Sequence, residues 1–407
     1  MKRKRVALFL AAVLAALLLP GCEKAEKKPV TIWHASDLHY LSPTLIEDRA
    51  YFISVMERGD GKATHYTPEI CRSFVETAVQ EKPDVVILSG DLTLNGSLES
   101  HRDLAQILAP LQEAGIRVLV LPGNHDIGRA GYRFTSETPE PVPAADAETF
   151  AQIYADYGYT DALSRDAASL SYVADLGGGV RVLLIDVNSG SHGTVTPETL
   201  DWATKQLKAA RRDGCTVIAV SHQNLYRHSP RFSFGYEINN CAELAALYEK
   251  YGVQLNLSGH LHIQHIAGEG RTADIAVSSL AVTPNQFGVL RLDADHRMQY
   301  ETQPLTVLAE KDGVPLDFAR YSAGLFDACT VAKTAPKLES MNLTEAESSA
   351  MLAVARQMNR EYFGGKVLPP DPTGYALWTE HTDAFFSGYL DSIADEIGKD
   401  HTHWSSE

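Results

Sequence analysis

The sequence predicts an α/β protein with a largely parallel core sheet, followed by a smaller helical region. Five short apolar runs, rich in Val, Ile and Leu, are typical of buried strands. Between them lie segments with helical spacing of apolar residues, including residues 69–79, 101–113 and 197–210. Because strands that alternate with helices are usually joined by right-handed crossovers, we expect the strands to run mostly parallel.

Each predicted strand ends in residues that are able to bind a metal ion. The five blocks are Asp37-Leu38-His39, Gly90-Asp91, Gly123-Asn124-His125-Asp126, Ser221-His222 and Gly259-His260-Leu261-His262. Sites in open α/β sheets form beyond the carboxyl ends of the strands. We therefore expect the five blocks, although far apart in the chain, to converge on one cleft.

The side chains in these blocks offer carboxylate, amide and imidazole groups, and none of them is a thiol. Such a set can hold two divalent metal ions side by side. Taken singly, a Gly-Asp or Gly-Asn pair is ordinary turn chemistry. The occurrence of all five blocks, each after a strand-like run, favours the metal site over five unrelated turns.

In this order, the blocks resemble the signature of the calcineurin-like metallophosphoesterase superfamily, over about residues 30 to 300. The finer pattern is similar to the cyclic-nucleotide phosphodiesterase-like branch, in which a helical tail follows the metal domain. The resemblance implies a layered α/β sandwich fold with a small C-terminal helical domain. It also implies two divalent metal ions. Oxygen and nitrogen ligands suit manganese, iron or zinc, and the identity of the metal stays open.

The resemblance implies a role for each ligand. Asp37, His39 and His262 would bind the first metal, Asn124, His222 and His260 would bind the second, and Asp91 would bridge both. Metal binding lowers the pKa of bound water, so that hydroxide becomes available near neutral pH. The implied reaction is therefore the attack of this hydroxide on a phosphate ester.

His125 would contact the phosphate and protonate the leaving oxygen, a task for which a histidine titrates in the right range. Its neighbour Asp126 could accept a ring N–H from His125 and fix the tautomer. The alternative for His125 is a packing role behind the ligands. Gln223 stands where relatives often have a second histidine, which leaves fine substrate contacts open.

The resemblance favours hydrolysis of a small phosphodiester, including 3′,5′-cyclic nucleotides. A phosphomonoesterase would use the same metals, because the blocks do not encode how the pocket treats a second ester group. A catalytically silent, extracytoplasmic binding lipoprotein is the alternative from another class. The formal net charge of −16 argues against a nucleic acid polymer as partner, since phosphate backbones need basic surfaces. The oligomeric state stays open.

The N-terminus has the pattern of a bacterial lipoprotein signal. Four basic residues precede an apolar run at residues 6–19, which is short for a membrane span. Leu19-Pro20-Gly21-Cys22 resembles a lipobox, with Cys22 as the lipid attachment site. We expect a signal peptide at residues 1–21, a tether at 22–29 and an extracytoplasmic, membrane-anchored protein. A plain signal peptide and an uncleaved anchor are the alternatives.

The remaining chain divides into a phosphoesterase domain at residues 30–305 and a helical domain at 306–407. Helical spacing is visible at residues 316–331, 345–363 and 375–397, and this domain would add stability, cap the pocket or form a dimer contact. The long connection at residues 41–66 could cover the cleft, or it could be a surface elaboration. Cys71, Cys215, Cys241 and Cys329 fit no zinc or redox spacing, so free thiols are expected, although an extracytoplasmic location permits a disulfide.

Several polar residues outside the blocks are expected to have ordinary roles. Asp186 and Asn188 end an apolar run and are assigned to a turn, with support of the metal ligands as the alternative. We expect four histidines outside the blocks to be solvated, although His228 could line the cleft. These are His101, His192, His228 and His265.

Overall fold

The computed structural model describes residues 27–136, 138–190, 193–232, 234–380 and 386–406. The expected signal peptide, the lipid site Cys22, the first part of the tether and His192 lie outside the described residues. Among the helices described, none has both the length and the apolar character needed to cross a bilayer.

Sheet one has six strands and carries the first three blocks. Its order is β17-β14-β13-β1-β2-β3. The strands are β1 (Val30–Ala35), β2 (Val85–Leu88), β3 (Arg117–Val120), β13 (Gln286–Leu292), β14 (Met298–Pro304) and β17 (His403–Ser405). β1, β2 and β3 are parallel, whereas β13, β14 and β17 add antiparallel pairs.

Sheet two has seven strands and carries the last two blocks. Its order is β11-β12-β10-β9-β8-β7-β6. The strands are β6 (Ser164–Arg165), β7 (Tyr172–Gly177), β8 (Val180–Ile185), β9 (Thr216–Ser221), β10 (Leu255–Ser258), β11 (His265–Glu269) and β12 (Thr272–Ala276). β8, β9, β10 and β12 are parallel, and the outer strands are antiparallel. Two small hairpins pair β4 (Gly131–Arg133) with β5 (Glu140–Val142) and β15 (Glu310–Lys311) with β16 (Val314–Pro315).

The helices of the first domain flank the two sheets. They are α1 (Arg49–Met56), α2 (Thr67–Glu81), α3 (Leu98–Glu113), α4 (Ala147–Ile153), α5 (Pro197–Asp213) and α6 (Cys241–Tyr251). Pro43–Leu45 and Thr64–Tyr66 form 3₁₀ turns, and Ala155–Tyr159 forms a π-type turn. The helices predicted at residues 69–79, 101–113 and 197–210 correspond to α2, α3 and α5.

Alternating side chains show how the layers pack. Val182 and Leu184 of β8 belong to the core cluster that also contains residues of sheet one. Leu183 and Ile185 belong to the cluster formed with α5 and α6. Since successive strand residues point to opposite faces, sheet two packs on sheet one with one face and on helices with the other. Helices α2 and α3 supply further residues of the first cluster, so the domain is a layered α/β sandwich, as predicted.

The sequence predicts one largely parallel core sheet. The structure instead divides the parallel strands between two mixed sheets. The alternation of apolar runs with helices is the same in either arrangement, and it does not encode which strands share a sheet. As a result of the division, both sheets contribute ligands to the site. The blocks that contain Asp37, Asp91 and Asn124 follow strands of sheet one, and those that contain His222 and His260 follow strands of sheet two.

The C-terminal region is helical, as predicted, and has its own core. It contains α7 (Phe318–Glu339), α8 (Glu345–Gly364), α9 (Pro372–Glu380) and α10 (Phe386–Ala394). Trp378 and Met358 are buried in a cluster that also takes in Leu261 and Ile263, which flank His262. The last strand, β17, returns to sheet one. The domain boundary between residues 305 and 306 stays a prediction.

Three of the histidines expected to be solvated are buried, which corrects that expectation. His101 donates a hydrogen bond from Nε2 to the Asp126 carbonyl and accepts one from the Tyr154 hydroxyl. His228 bonds the Asp274 carboxylate over 3.0 Å, and its Nδ1 lies 3.0 Å from Nδ1 of His265. Because their hydrogen-bond partners lie far away in the chain, the local sequence did not indicate that these histidines are buried. The four described cysteines outside Cys22 are free thiols, and Cys71 and Cys329 are buried.

Candidate metal centre

The structure brings all seven predicted ligands together at the carboxyl ends of the strands. Two groups of ligand atoms form. The first contains Asp37, His39, Asp91 and His262, and the second contains Asp91, His222 and His260. Asn124, which is not a charged ligand, places its Oδ1 3.1 Å from His222 Nε2 and so joins the second group. The roles of the individual residues stay predictions, but their convergence is a property of the fold.

Asp91 belongs to both groups, and its two oxygens face in different directions. Oδ1 lies 3.3 Å from His222 Nε2 in the second group. Oδ2 lies 4.0 Å from His39 Nε2 in the first group and 3.9 Å from His125 Nε2. The carboxylate is almost completely buried. This orientation suits a carboxylate that bridges two cations.

In the first group, the ligand atoms of three residues point toward one another. His39 Nε2 and His262 Nε2 are 3.0 Å apart, and His262 Nε2 is 3.2 Å from Asp37 Oδ1. Asp37 Oδ1 is buried without a hydrogen-bond partner among the described residues. Since buried polar atoms are nearly always satisfied, this atom fits a metal ion as its partner.

In the second group, backbone carbonyls orient the imidazoles. His222 Nδ1 donates to the Ser89 carbonyl over 2.9 Å, so its Nε2 faces Asp91 and Asn124. His260 Nε2 donates to the Gly235 carbonyl over 2.9 Å, which leaves its Nδ1 as the atom available to a metal. Hydrogen bonds of this kind fix the tautomer of metal-binding histidines. Together the two groups fit a pair of divalent metal ions bound by oxygen and nitrogen.

The backbone at the ligands is strained. Five of the seven ligand residues have positive φ angles, between 47° and 67°. These are Asp37, His39, Asp91, His260 and His262. L-residues other than glycine rarely adopt this conformation, which costs on the order of 1–3 kcal/mol where it is not intrinsically favoured. The surrounding fold therefore stabilises the backbone conformation that directs these side chains toward the centre.

The Asp91 carboxylate and the His222 imidazole each shift the pKa of the other. Burial raises the pKa of the Asp91 carboxyl, but the charges of His222, His125 and His39 outweigh it and hold that pKa well below its usual value. Burial lowers the pKa of His222, but the Asp91 carboxylate outweighs burial and raises that pKa to about 9. Without metal, a proton on His222 Nε2 thus occupies the position in which a cation would neutralise Asp91.

His125 lies on the open side of the centre, where 27% of its side chain is exposed. Its Nδ1 donates to the Leu94 carbonyl over 2.7 Å, so Nε2 is the atom that faces Asp91. The expectation that Asp126 accepts this ring proton is wrong. Asp126 instead accepts backbone N–H bonds from Leu92, Thr93 and Gly123, and thereby joins the loops after β2 and β3.

Asp274 is a supporting residue that sequence reasoning missed. Its carboxylate, fully buried in β12, accepts hydrogen bonds from the backbone of Leu225 and Tyr226 and from His228. It also accepts one from Asn256 of β10. Asp274 thus ties the loop after His222 to the strand that leads into His260. The sequence did contain a signal, namely a carboxylate inside an apolar strand. A buried carboxylate requires hydrogen-bond partners.

Gln223 and Asn188 form a second supporting contact. Their side-chain amides are joined by two hydrogen bonds of 2.8 and 3.1 Å, and Asn188 also donates to the Pro122 carbonyl. Asn188 therefore connects the loop before Gly123 with the residue after His222. Asp186 accepts backbone N–H bonds from Asn188 and Ser189 and so has the predicted turn role. Gln223, which stands where relatives often have a second histidine, therefore stabilises the loop, and His222 keeps its ligand position.

A third group of metal-type residues, His265, Glu396 and His401, lies where the C-terminal region meets β11. The rings of His265 and His401 are stacked, with centroids 3.9 Å apart and planes 23° apart. Stacked rings cannot both direct an in-plane lone pair at one ion. His401 Nδ1 also accepts the backbone N–H of Ile266, so Nε2 carries the proton and donates to Glu396. This group fits a hydrogen-bonded domain contact better than a metal site.

Gly123 allows the loops after β2 and β3 to approach closely. A Cβ atom at this position would overlap the backbone nitrogen and Oδ1 of Asp91 and would lie 2.8 Å from His222 Nε2. We expect Gly123→Ala to reduce bound metal to well below that of the wild-type protein, because Asp91 must move. Metal content per chain after dialysis is the measurement. Gly190→Ala, whose Cβ would meet nothing closer than 3.5 Å, is the control, and equal metal content in the two variants would contradict the account.

Metal binding should release a proton. Because the pKa of His222 is raised to about 9, the metal-free protein carries this proton at neutral pH and must lose it when Nε2 binds a cation. Affinity should therefore rise as the pH increases toward about 9. Calorimetric titration with manganese at pH 7.5, in two buffers of different ionisation enthalpy, counts the protons. Identical binding heats in both buffers would show that no proton leaves.

Comparison with known proteins agrees with the geometry. Residues 309–400 match the C-terminal domain of cyclic nucleotide phosphodiesterase. A probable cyclic nucleotide phosphodiesterase of Rhodococcus erythropolis is 27% identical over 184 residues, which are 44% of this chain and 52% of the relative. A 3′,5′-cyclic-nucleotide phosphodiesterase of Nostoc sp. is 26% identical over 244 residues, or 58% of this chain and 73% of the relative.

The similarity to other proteins is partial. A probable cyclic nucleotide phosphodiesterase of Ruthia magnifica is 33% identical over 87 residues, which are 21% of this chain and 35% of the relative. This chain thus spans about half or less of that relative and the Rhodococcus one. The crystal structure of a dimetal phosphatase from Danio rerio is 13% identical, with a TM-score of 0.48, over 68% of this chain and 96% of that chain. Residues 30–264, more than half of the chain, match the calcineurin-like phosphoesterase family, and the protein belongs to that family.

Proposed function

We propose that the protein is a metal-dependent phosphodiesterase with a small phosphorylated substrate, and that 3′,5′-cyclic nucleotides are the first substrates to test. The observation that carries the proposal is the position of Asp91, whose two oxygens face two ligand groups beside the partly exposed His125. The C-terminal match at residues 309–400 and the names of the Rhodococcus and Nostoc relatives support the diester class.

The side chains of the centre suit this chemistry. Two bound divalent ions supply positive charge at the phosphoryl oxygens and a water of lowered pKa. Asp91 holds the two ligand groups together, and the backbone N–H of His125 donates to Asp91 Oδ1 over 2.7 Å. With its Nδ1 proton fixed by the Leu94 carbonyl, His125 can hold a second proton on Nε2 and give it to the leaving ester oxygen.

A phosphomonoesterase is the alternative within the same family, since a monoester would use the same metal ligands and the same acid. A catalytically silent binding protein is the alternative from another class. The presence of both Asp91 and His125 favours an enzyme. Metal identity also belongs to the proposal: oxygen and nitrogen ligands suit manganese, iron or zinc, and ligand type alone does not choose among them.

We also propose that the protein is anchored outside a bacterial cytoplasmic membrane through lipid on Cys22. The support is the sequence at residues 1–22, which combines a basic start, a short apolar run and a lipobox-like end. In that location, phosphodiesters other than cyclic nucleotides, such as glycerophosphodiesters and wall-polymer phosphodiesters, become further substrates to test. Metabolic labelling with a radioactive fatty acid, compared between the wild type and Cys22→Ala, tests the anchor.

The diester proposal predicts that the manganese-loaded protein hydrolyses bis-p-nitrophenyl phosphate faster than p-nitrophenyl phosphate, and that a chelator abolishes both activities. Faster turnover of the monoester would favour the phosphatase alternative. Turnover of neither ester, with both metals bound, would favour the binding-protein alternative. Cyclic nucleotides are then compared as substrates by chromatography of the products.

Two substitutions should separate metal binding from acid catalysis. Asp91→Asn should reduce metal content and turnover together, because the bridging charge is lost. His125→Ala should keep the metals and lower kcat by about 10²- to 10⁴-fold, the usual contribution of a general acid. His403→Ala, which removes an exposed imidazole from the edge strand β17, is the control and should leave both quantities unchanged. Full turnover by either site variant would refute the role given to that residue.

A further inference from the structure

The loop between β9 and α6 contacts both the second ligand group and the C-terminal region. It closes on itself at Asn224, whose backbone N–H donates to the Tyr236 carbonyl over 3.0 Å. Asp274 holds the first half of the loop through backbone N–H groups. The second half contains residues 231–232 and 234–236, which we call the return arm. The position of the return arm depends on a separate set of contacts.

The return arm contacts His260, a predicted ligand of the second metal ion, in two ways. The Gly235 carbonyl accepts the hydrogen bond from His260 Nε2 over 2.9 Å. The ring of Tyr236 lies against the imidazole, with centroids 5.2 Å apart and planes 49° apart. Because the hydrogen bond leaves Nδ1 as the atom available to a metal, the position of the return arm sets the direction of His260 Nδ1.

Aromatic rings connect the return arm to helix α10 of the C-terminal region. The ring of Phe232 lies 5.7 Å from the ring of Tyr389 of α10, with planes 64° apart. It also lies 5.8 Å from the ring of Tyr236. Aromatic pairs at these distances and angles stabilise a contact beyond the area that they bury. Three ring contacts in succession thus join Tyr389 to the ligand His260.

Helix α10 adds a polar contact and is itself fixed. Arg231 Nε donates to the Gly388 carbonyl over 3.1 Å. A Cβ atom at Gly388 would overlap the Arg231 guanidinium, which therefore lies directly on the helix surface. The Tyr389 hydroxyl donates to Asn359 Oδ1 of α8 over 2.5 Å. The return arm is therefore held by a helix that is anchored in the C-terminal core.

We propose that the C-terminal region positions a ligand of the second metal ion through the return arm, and that Phe232 is the positioning residue. Phe232 acts on His260 through its neighbours Gly235 and Tyr236. The inference rests on the two-metal centre of the proposed function. Because its test measures manganese binding, it can fail or stand independently of ester hydrolysis.

The first experiment measures manganese binding by the whole protein with Phe232→Ala. Without this ring the return arm loses its contact with Tyr389, so one of the two manganese ions should bind about tenfold more weakly. This is the lower end of the range for groups that orient metal-binding histidines. The affinity of the other ion should change by no more than about twofold, because the first ligand group does not include His260. Phe232→Tyr keeps the ring and should restore binding of both ions.

A double substitution tests whether Phe232 and Tyr389 act through their mutual contact. Phe232→Ala and Tyr389→Leu should each weaken the same manganese ion. The double variant should bind that ion no more weakly than the weaker single variant, because both substitutions remove one interaction. Effects that multiply would show that the two residues act separately and would refute the path through α10.

Met351→Ala is the matched control for loss of stability in the C-terminal region. Met351 is fully buried in the same core, and its carbonyl accepts a hydrogen bond from Trp378 Nε1 over 2.9 Å. Loss of this side chain should lower the melting temperature at least as much as Phe232→Ala does. Both manganese affinities should nevertheless keep their wild-type values.

Wild-type manganese affinities in Phe232→Ala would overturn the proposal. Equal weakening of both ions, or the same weakening in Met351→Ala, would also overturn it, because either result would show a general structural role. If manganese binding changes as expected but the wild-type protein hydrolyses no ester, the proposed function fails and this inference stands.

Discussion

The contact between the Asp91 carboxylate and the imidazole of His222 is the interaction on which the centre depends. Asp91 follows a strand of sheet one, and His222 follows a strand of sheet two. A buried carboxylate is costly unless a positive group or a metal neutralises it. The contact therefore joins the two sheets at the site. The His262 contact with Asp37 repeats the same arrangement, with the carboxylate from sheet one and the imidazole from sheet two.

The fold holds these groups in position against local backbone preference. Five ligand residues have left-handed backbone, and Gly123 sits so close to Asp91 that no Cβ atom fits between them. Strain of this kind persists only where the surrounding structure over-determines the conformation, and it is concentrated at functional sites. Here Asp274 and Asp126 supply that support, because each buried carboxylate gathers backbone N–H groups from the loops that carry the ligands.

The sequence was sufficient to predict the α/β class, the helical C-terminal region and the convergence of the seven ligands, because strand periodicity and donor type are local signals. It could not predict features that depend on long-range packing. The same pattern of runs fits one sheet or two, so the division between two sheets was missed. The Leu94 carbonyl, and not Asp126, holds the His125 ring, since backbone acceptors have no sequence signature. The burial of His101 likewise depends on partners distant in the chain.

We propose that the Asp91 carboxylate would bridge two divalent metal ions. Electron paramagnetic resonance of the protein loaded with two equivalents of manganese tests this most directly, because ions that share a bridge are magnetically coupled. We expect the multiline spectrum of an exchange-coupled pair in the wild type and its loss in Asp91→Asn. A spectrum of isolated manganese ions in the wild-type protein, at a measured content of two ions per chain, would contradict the bridged centre.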